Sequence, residues 1–67
     1  MTNRKFTENL ITGAARIDIV SGEGEIGTVE RFVGARTIRA LKARLTRARC
    51  GGDRWARAEI DGQEICF

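Results

Sequence analysis

The sequence predicts an α+β fold, in which one amphipathic helix packs on one face of a small antiparallel sheet of four or five short strands. Three observations lead to this prediction. Apolar residues recur at helical spacing in residues 36–50, apolar and polar residues alternate in other segments, and Asp61-Gly62 is a strong hairpin signal. The 67 residues suffice for a single domain, residues 1–67, and are too few for two.

Residues 6–33 supply the first predicted strands. The short apolar segment 6–11 is expected to form an edge strand. In 14–20, isoleucines alternate with charged residues, which predicts a half-buried strand. The glycine- and glutamate-rich segment 21–25 has the composition of an exposed hairpin loop. The β-branched and aromatic residues of 26–33 predict the returning strand, because their apolar positions are out of phase with the helix that follows.

The predicted helix covers residues 36–50 and has the clearest period in the chain. Thr37 is a suitable N-cap residue, and Gly51-Gly52 is a suitable stop in the left-handed conformation. The apolar positions recur at i, i+3, i+7 and i+10, and these are Ile38, Leu41, Leu45 and Ala48. This spacing places them on one face of a helix, which is the face expected to cover the sheet.

The last part of the chain predicts a second hairpin, with strands 54–60 and 63–67 around Asp61-Gly62. A two-residue turn fixes the register of the two strands. In that register the apolar face carries Ile60 and the pairs Ala58 with Ile65 and Ala56 with Phe67. The opposite face carries Arg57, Glu59 and Glu64, near Trp55.

The composition argues against catalysis and against a metal site. The chain has no His, so it lacks the commonest general base and the commonest transition-metal ligand. Cys50 and Cys66 have no second pair with which to build a four-ligand zinc site. None of the acidic residues has the apolar sequence context of a catalytic acid. We therefore expect no catalytic residue, no metal and no cofactor, and a protein that is not an enzyme.

The two cysteines are expected to be half-buried thiols, which we favour over a disulfide between them. The reason is the reducing environment in which the chain is expected to lie. The polar segment 1–6 has no signal-peptide pattern, so the expected location is the cytoplasm, where disulfides are rare. No apolar run approaches the roughly 20 residues that cross a bilayer, so a membrane partner is not expected.

Positive charge is concentrated in residues 31–57, where nine basic residues stand against the single acid Asp53, although the whole chain has a net charge of only +3. Ten of the twelve basic residues are arginines, whose planar side chains form two-pronged contacts with carboxylate or phosphate. An ordinary surface helix would include acids spaced to pair with its cations, and this helix has none. The pattern favours an interface.

The expected partner-binding residues are Arg36, Arg39, Arg44, Arg47, Arg57 and Trp55. The first four project from the predicted helix on the side opposite its apolar stripe, and Lys42 and Arg49 flank that stripe. Two alternatives to an interface stay open: the arginines reflect the Arg and Ala codons that a high-GC genome favours, or they form a solvated face neutralised by acidic loops of the same molecule. For Trp55 a place in the core is slightly favoured over a place in an interface.

The layout of residues 37–67 supports one family-level comparison. It consists of a helix, the Gly51-Gly52 stop and a hairpin ending in EIDGQEICF, and it resembles that of small phage-encoded inhibitors of the anti-CRISPR type. The resemblance is one of layout, without a shared motif, so no residue role is carried over. It implies a stoichiometric blocker of a CRISPR surveillance complex. Inhibitors that mimic DNA are acidic, so this chain would mask a protein surface or contact nucleic acid held by the complex.

The sequence leaves two alternatives beside a protein or ribonucleoprotein partner. The same helix would bind the phosphates of free nucleic acid without sequence preference. Against that alternative, only Trp55 and three Phe residues are available for base stacking. A homodimer built through an exposed sheet edge is compatible with either partner. The protein or ribonucleoprotein partner is the favoured interpretation.

Overall fold

The computed structural model describes residues 4–65, with side chains from Lys5 onward. The elements in chain order are α1 (Arg4–Gly13), β1 (Ile17–Gly22), β2 (Thr28–Arg31), α2 (Ile38–Cys50), β3 (Trp55–Ile60) and β4 (Gln63–Ile65). The strands form a four-stranded antiparallel sheet in the order β2-β1-β3-β4. The predicted fold class, α+β with a small antiparallel sheet, is confirmed.

Strand β1 lies in the middle of the sheet, and all six of its residues are buried. The expectation of a half-buried strand is therefore wrong. On the helix side β1 is covered by α2. On the other side, Asp18 is covered by its ion pair with Arg16, and Val20 lies in register between Val29 and Arg57 of the two neighbouring strands. Cross-strand neighbours supply the burial that a second helical layer would otherwise provide.

Residues 6–11, expected as an edge strand, belong instead to helix α1. The buried residues Thr7 and Ile11 are four positions apart, so they share one face of the helix, and the buried Ala14 follows directly after it. Helix α1 packs against α2. The helical spacing is present in the sequence, but a threonine occupies one of its two positions and hides the apolar period.

Helix α2 covers the sheet as predicted and begins one residue after Thr37, whose side chain accepts a hydrogen bond from the Ala40 N–H at 3.1 Å. Its buried stripe consists of Ile38, Leu41, Leu45 and Ala48. The first three belong to a core with Ile11, Ala14, Ile17, Ile19, Ala58 and Ile60. At the other end, Gly51 has φ −84°, and the left-handed residue is Gly52 with φ 119°.

The predicted second hairpin is confirmed at its turn and in the pair Ala58–Ile65. Asp61 has φ 50° and Gly62 φ 85°, the left-handed values that a tight two-residue turn requires. The Asp61 carboxylate accepts hydrogen bonds from the backbone N–H groups of Ala15 and Arg16, at 3.1 and 2.9 Å. The turn is therefore fastened to the connection between α1 and β1. The expected partner of Ala56, Phe67, lies outside the described residues.

Candidate functional site

The exposed side of α2 carries the strongest concentration of charge in the described chain. Because the core stripe uses every third or fourth position, the basic side chains between them point to solvent. Four cationic side chains are exposed there, and we call them the basic ridge: Arg39, Lys42, Arg47 and Arg49. Helix α2 contains no acidic residue. From Arg39 to Arg49 the helix rises by about 15 Å, at about 1.5 Å per residue.

The basic ridge is not neutralised by the rest of the described chain. Within residues 4–65, none of its four side chains forms an ion pair or a hydrogen bond with another residue. Two acids border the helix: Glu64 lines a groove with Lys42 and Arg49, and Asp53 lines another with Arg47. Neither acid pairs with a ridge cation. Neutralisation by acidic loops of the same molecule therefore lacks structural support among these residues.

The dipole of α2 favours two of the four cations of the basic ridge and disfavours Arg39. Arg47 and Arg49 lie in the last turn of α2, where positive charge is favourable. Arg39 lies in the first turn, which has no acidic residue, and a cation there opposes the positive end of the dipole. The cost is a few tenths of a kcal/mol to about 1 kcal/mol. Arg39 therefore does not stabilise α2 through the helix dipole, and a binding role would explain an arginine at this position.

Arg36 has a structural role, as a hydrogen-bond donor to backbone carbonyls, that the sequence did not indicate. It precedes the N-cap Thr37 and is not part of α2, although the predicted helix included it. Its guanidinium donates hydrogen bonds to the Ile11 carbonyl, at 3.4 Å, and to the Ala14 carbonyl. The Ile11 carbonyl belongs to the last turn of α1 and also accepts the Ala14 N–H at 3.4 Å, while the Ala14 carbonyl follows the helix directly. Arg36 thus supplies a charged donor where the backbone of α1 ends. Arg36 thereby links α1 to the residues that precede α2.

Arg36→Met is expected to lower the free energy of unfolding by about 1 to 2 kcal/mol, because two carbonyls lose a charged donor that is partly shielded from water. The measurement is urea denaturation followed by the fluorescence of Trp55. Arg54→Met is the control, since Arg54 is exposed and its side chain has no partner among residues 4–65. Equal losses in the two variants would contradict the capping role.

Arg44 is also engaged, on the side of α2 that faces β2. Its guanidinium lies 2.8 Å from the Glu30 carboxylate, and its side chain is less exposed than that of Glu30, at 28% against 72%. The pair ties α2 to the edge strand. An exposed pair of this kind contributes at most about 1 kcal/mol. Its main effect on the site is that Arg44 is less available to a partner than the four cations of the basic ridge.

Trp55 and Arg57 lie on the sheet face opposite the helices, because they alternate with Ala58 and Ile60 of the core. The Trp55 indole N–H donates to the Gly24 carbonyl at 2.6 Å. Trp55 therefore lies outside the helix-side core and closes the loop between β1 and β2. The Arg57 guanidinium lies 5.3 Å from the Trp55 ring centroid, a cation–π distance.

Arg57 also pairs with Glu59 at 3.1 Å and with Glu64 at 3.6 Å, so its charge is largely neutralised. The structure thus separates the six predicted site residues into three groups. Arg39 and Arg47 lie on the basic ridge, and their side chains have no partner within the described part of the chain. Arg36, just before α2, bonds to the end of α1, and Arg44, within α2, pairs with Glu30 of β2. Arg57 and Trp55 lie on the far face of the sheet. Lys42 and Arg49, predicted only to flank the apolar stripe, belong with the first group.

The metal-binding, cysteine and membrane-spanning features of the described residues are limited. Within residues 4–65, no group of three or more Cys, Asp or Glu side chains is placed to hold a metal ion. Cys50 is a free and exposed thiol, so the expected half burial is wrong for this residue, and Cys66 lies outside the described part of the chain. Neither described helix combines the length and the apolar character of a membrane-spanning segment.

No protein-family model matches the chain, and no curated protein and no solved structure matches it. The fold class, a two-layer α+β arrangement with α2 across an antiparallel sheet, therefore stands on the geometry of the chain itself.

Proposed function

We propose that this chain is a small non-enzymatic binding protein that docks through the basic ridge onto an anionic surface of a protein or ribonucleoprotein complex. In this proposal it acts as a stoichiometric inhibitor of the anti-CRISPR type. One observation carries the proposal: four cations without a partner among residues 4–65 stand on the exposed side of one helix, which contains no acid. The cation Arg39 in the first turn adds weight, because helix stability does not explain it.

Free nucleic acid is the weaker alternative, because the one aromatic ring among residues 4–65 that lines a groove with a cation of the basic ridge, Phe32 beside Arg47, is half-buried. Proteins that bind single strands without sequence preference combine cations with exposed aromatic rings. Here Trp55 is held under Arg57 on the far face of the sheet, and Phe32 packs partly against the core. The remaining described ring, Phe6, is exposed but belongs to α1. A cationic surface without an exposed ring among the described residues suits carboxylates, or phosphates already ordered within a complex.

The test combines two binding measurements. The first follows the anisotropy of labelled duplex DNA and single-stranded RNA at low and at physiological salt. The second follows the binding of target DNA by purified, guide-loaded CRISPR surveillance complexes as the chain is added. We expect weak, salt-sensitive binding in the first and inhibition at about one chain per complex in the second. Tight binding to free nucleic acid in the first would move the assignment to the alternative.

Arg39→Glu is expected to weaken binding to the inhibited complex by at least about tenfold, while the free energy of unfolding rises by about 0.3 to 1 kcal/mol. The rise follows because an acid replaces a cation at the positive end of the α2 dipole. A loss of binding together with a gain in stability excludes unfolding as the cause of the loss. The measurements are titration of the complex and urea denaturation, and Arg39→Glu with Arg47→Glu is expected to abolish binding.

Lys5→Glu is the matched control for the charge change. Lys5 occupies the second position of α1, as Arg39 does of α2, and it is exposed. The two variants alter the net charge equally. If Lys5→Glu weakens binding as much as Arg39→Glu does, the effect comes from the overall charge of the protein and the basic ridge is not the interface.

A further inference from the structure

A groove with a mostly apolar lining runs beside the basic ridge, between residues 32–35 and α2. Its volume is about 360 Å³. Six of its eight lining residues have no polar side chain, and the other two are Arg44 and Arg47. We call it the apolar groove. Its volume gives room to a large apolar side chain of another molecule.

The residues on the two sides of the apolar groove explain its shape. On the helix side, Ala40 and Ala43 are three positions apart on one face of α2, and their methyl groups fill little space. On the other side, the half-buried Phe32 ring lies against Gly34, where a Cβ would be only 3.2 Å from the ring. Val33 forms the outer wall and is 87% exposed. The groove therefore leaves apolar surface in water, which a bound apolar side chain would cover.

Two cations of the basic ridge lie on either side of Ala43 along the helix. Arg39, Ala43 and Arg47 are four positions apart, so they form one row on the exposed side of α2. From Arg39 to Arg47 the helix rises by about 12 Å, at about 1.5 Å per residue. Neither arginine has a partner among residues 4–65, whereas Arg44 is paired with Glu30. Two cations are thus available to a ligand that covers Ala43.

Charge distinguishes the apolar groove from two other grooves along α2. The groove toward β4 contains Glu64, and the groove at the end of α2 contains Glu30 and Asp53. These carboxylates would repel an acidic ligand. The described lining of the apolar groove contains two cations and no acid. Charge complementarity therefore directs an acidic ligand to the apolar groove.

We propose that the apolar groove and the row from Arg39 to Arg47 bind an acidic polypeptide segment, in which one apolar side chain lies between two carboxylates. This inference rests on the proposed docking through the basic ridge and names the part of the partner that is recognised. The apolar side chain enters the groove beside Ala43, and the carboxylates pair with the two arginines. A span of about 12 Å corresponds to acids about eight positions apart in a helix, or about four apart in a strand, with the apolar residue midway.

A polypeptide suits this site better than a nucleic acid does. Phosphates would pair with Arg39 and Arg47 but would leave the groove between them uncovered, because a sugar–phosphate backbone has no apolar side chain. A base would need an exposed ring on which to stack, and Phe32 is half-buried. Carboxylates form two-pronged contacts with the same guanidinium groups. An acidic, apolar polypeptide therefore satisfies both parts of the site.

The first test selects ligands from a library of random peptides displayed on phage, with the purified protein as the target. We expect enriched sequences to carry an apolar residue midway between two acids, at helical or strand spacing. A parallel selection on Ala43→Glu is expected to lose this pattern, because the new carboxylate lies between the two arginines and repels acids. This variant is expected to fold, since an acid four positions from each arginine supports the helix. No such enrichment, or the same enrichment on both targets, would overturn the proposal.

The second test uses the most strongly enriched peptide and a labelled single-stranded RNA as probes of Val33→Lys. This substitution removes the outer apolar wall of the groove and adds a cation. We expect peptide binding to weaken by at least about fivefold, although the added charge favours an acidic ligand, and RNA binding to stay equal or to rise. If peptide and RNA binding both strengthen, the groove recognises charge alone and the proposal is overturned.

Val29→Lys is the matched control for Val33→Lys. Val29 is also exposed, at 62%, but it lies opposite Val20 on the face of the sheet away from α2. The two variants have the same net charge, so only the position of the new cation differs. We expect Val29→Lys to change the binding of either probe by less than about twofold. Equal losses of peptide binding in the two variants would overturn the assignment to the groove.

The peptide selection contains no CRISPR complex, so it fails independently of the inhibition assay. A chain that inhibits a surveillance complex but enriches no acid–apolar–acid peptide would overturn this inference and leave the proposed function in place. A chain that enriches the peptide but inhibits no surveillance complex would support this inference and remove that target. Tight RNA binding without peptide enrichment would overturn the inference and make nucleic acid the occupant of the site.

Discussion

Leu41→Ala is expected to lower the free energy of unfolding by about 3 kcal/mol, within the range of about 2 to 5 kcal/mol for such core truncations. Leu41 is completely buried, in the middle of the α2 stripe. A small domain has a free energy of unfolding of only about 5 to 15 kcal/mol, so this single change removes a large part of it. Since α2 carries the basic ridge, partner binding is expected to fall with the folded fraction.

The measurement for Leu41→Ala is urea denaturation followed both by Trp55 fluorescence and by far-ultraviolet circular dichroism. Thr46→Ala on the same helix is the control, because Thr46 is exposed and its truncation is expected to change stability by less than about 0.5 kcal/mol. A loss in Leu41→Ala no larger than that of the control would mean that α2 is not anchored to the sheet through this residue.

Gly27→Ala is expected to destabilise the protein by about 1 to 3 kcal/mol, because the loop before β2 has no room for a side chain at this position. A Cβ at Gly27 would lie 2.4 Å from the Trp55 ring and 2.7 Å from the Ser21 carbonyl oxygen. The ring also donates to the Gly24 carbonyl, so it cannot move away without losing that hydrogen bond. Denaturation in urea and the emission maximum of Trp55 report the two consequences.

The same loop supplies the control for Gly27→Ala. A Cβ at Gly24 would meet nothing within 4 Å, so Gly24→Ala is expected to change stability little. Both substitutions remove the same backbone freedom from the unfolded chain, so their difference isolates the contacts of the added Cβ with the Trp55 ring and the Ser21 carbonyl. Identical stabilities in the two variants would show that Trp55 does not close the loop against Gly27.

Local patterns were sufficient to predict much of the fold. Helix α2 follows from the apolar period that includes Leu41 and Leu45 and from the cap at Thr37. The second hairpin follows from Asp61-Gly62, whose left-handed conformations set the register. Each of these signals is carried by residues close in the chain, and their physical basis is the geometry of a single helix or a single turn.

Helix α1 required tertiary information. Its buried residues are Thr7 and Ile11, followed by the buried Ala14 just after the helix, and this apolar period is too weak to distinguish a helix from a short strand. The contact with α2 and the Arg36 hydrogen bonds to the end of α1 favour the helix, and both come from residues more than twenty positions later in the chain.

The arginine-rich sequence of residues 36–50 by itself determined that a basic surface would stand opposite the apolar stripe of one helix. Only the tertiary structure decided which cations in and around it are free. Arg36, Arg44 and Arg57 are engaged, because folding brings carbonyls, carboxylates and an indole ring to them from other elements. Arg39 and Arg47 stay unpaired, because no acid among residues 4–65 reaches the exposed side of α2. Helical periodicity sets the direction of a side chain, whereas its partners depend on the packing of distant segments.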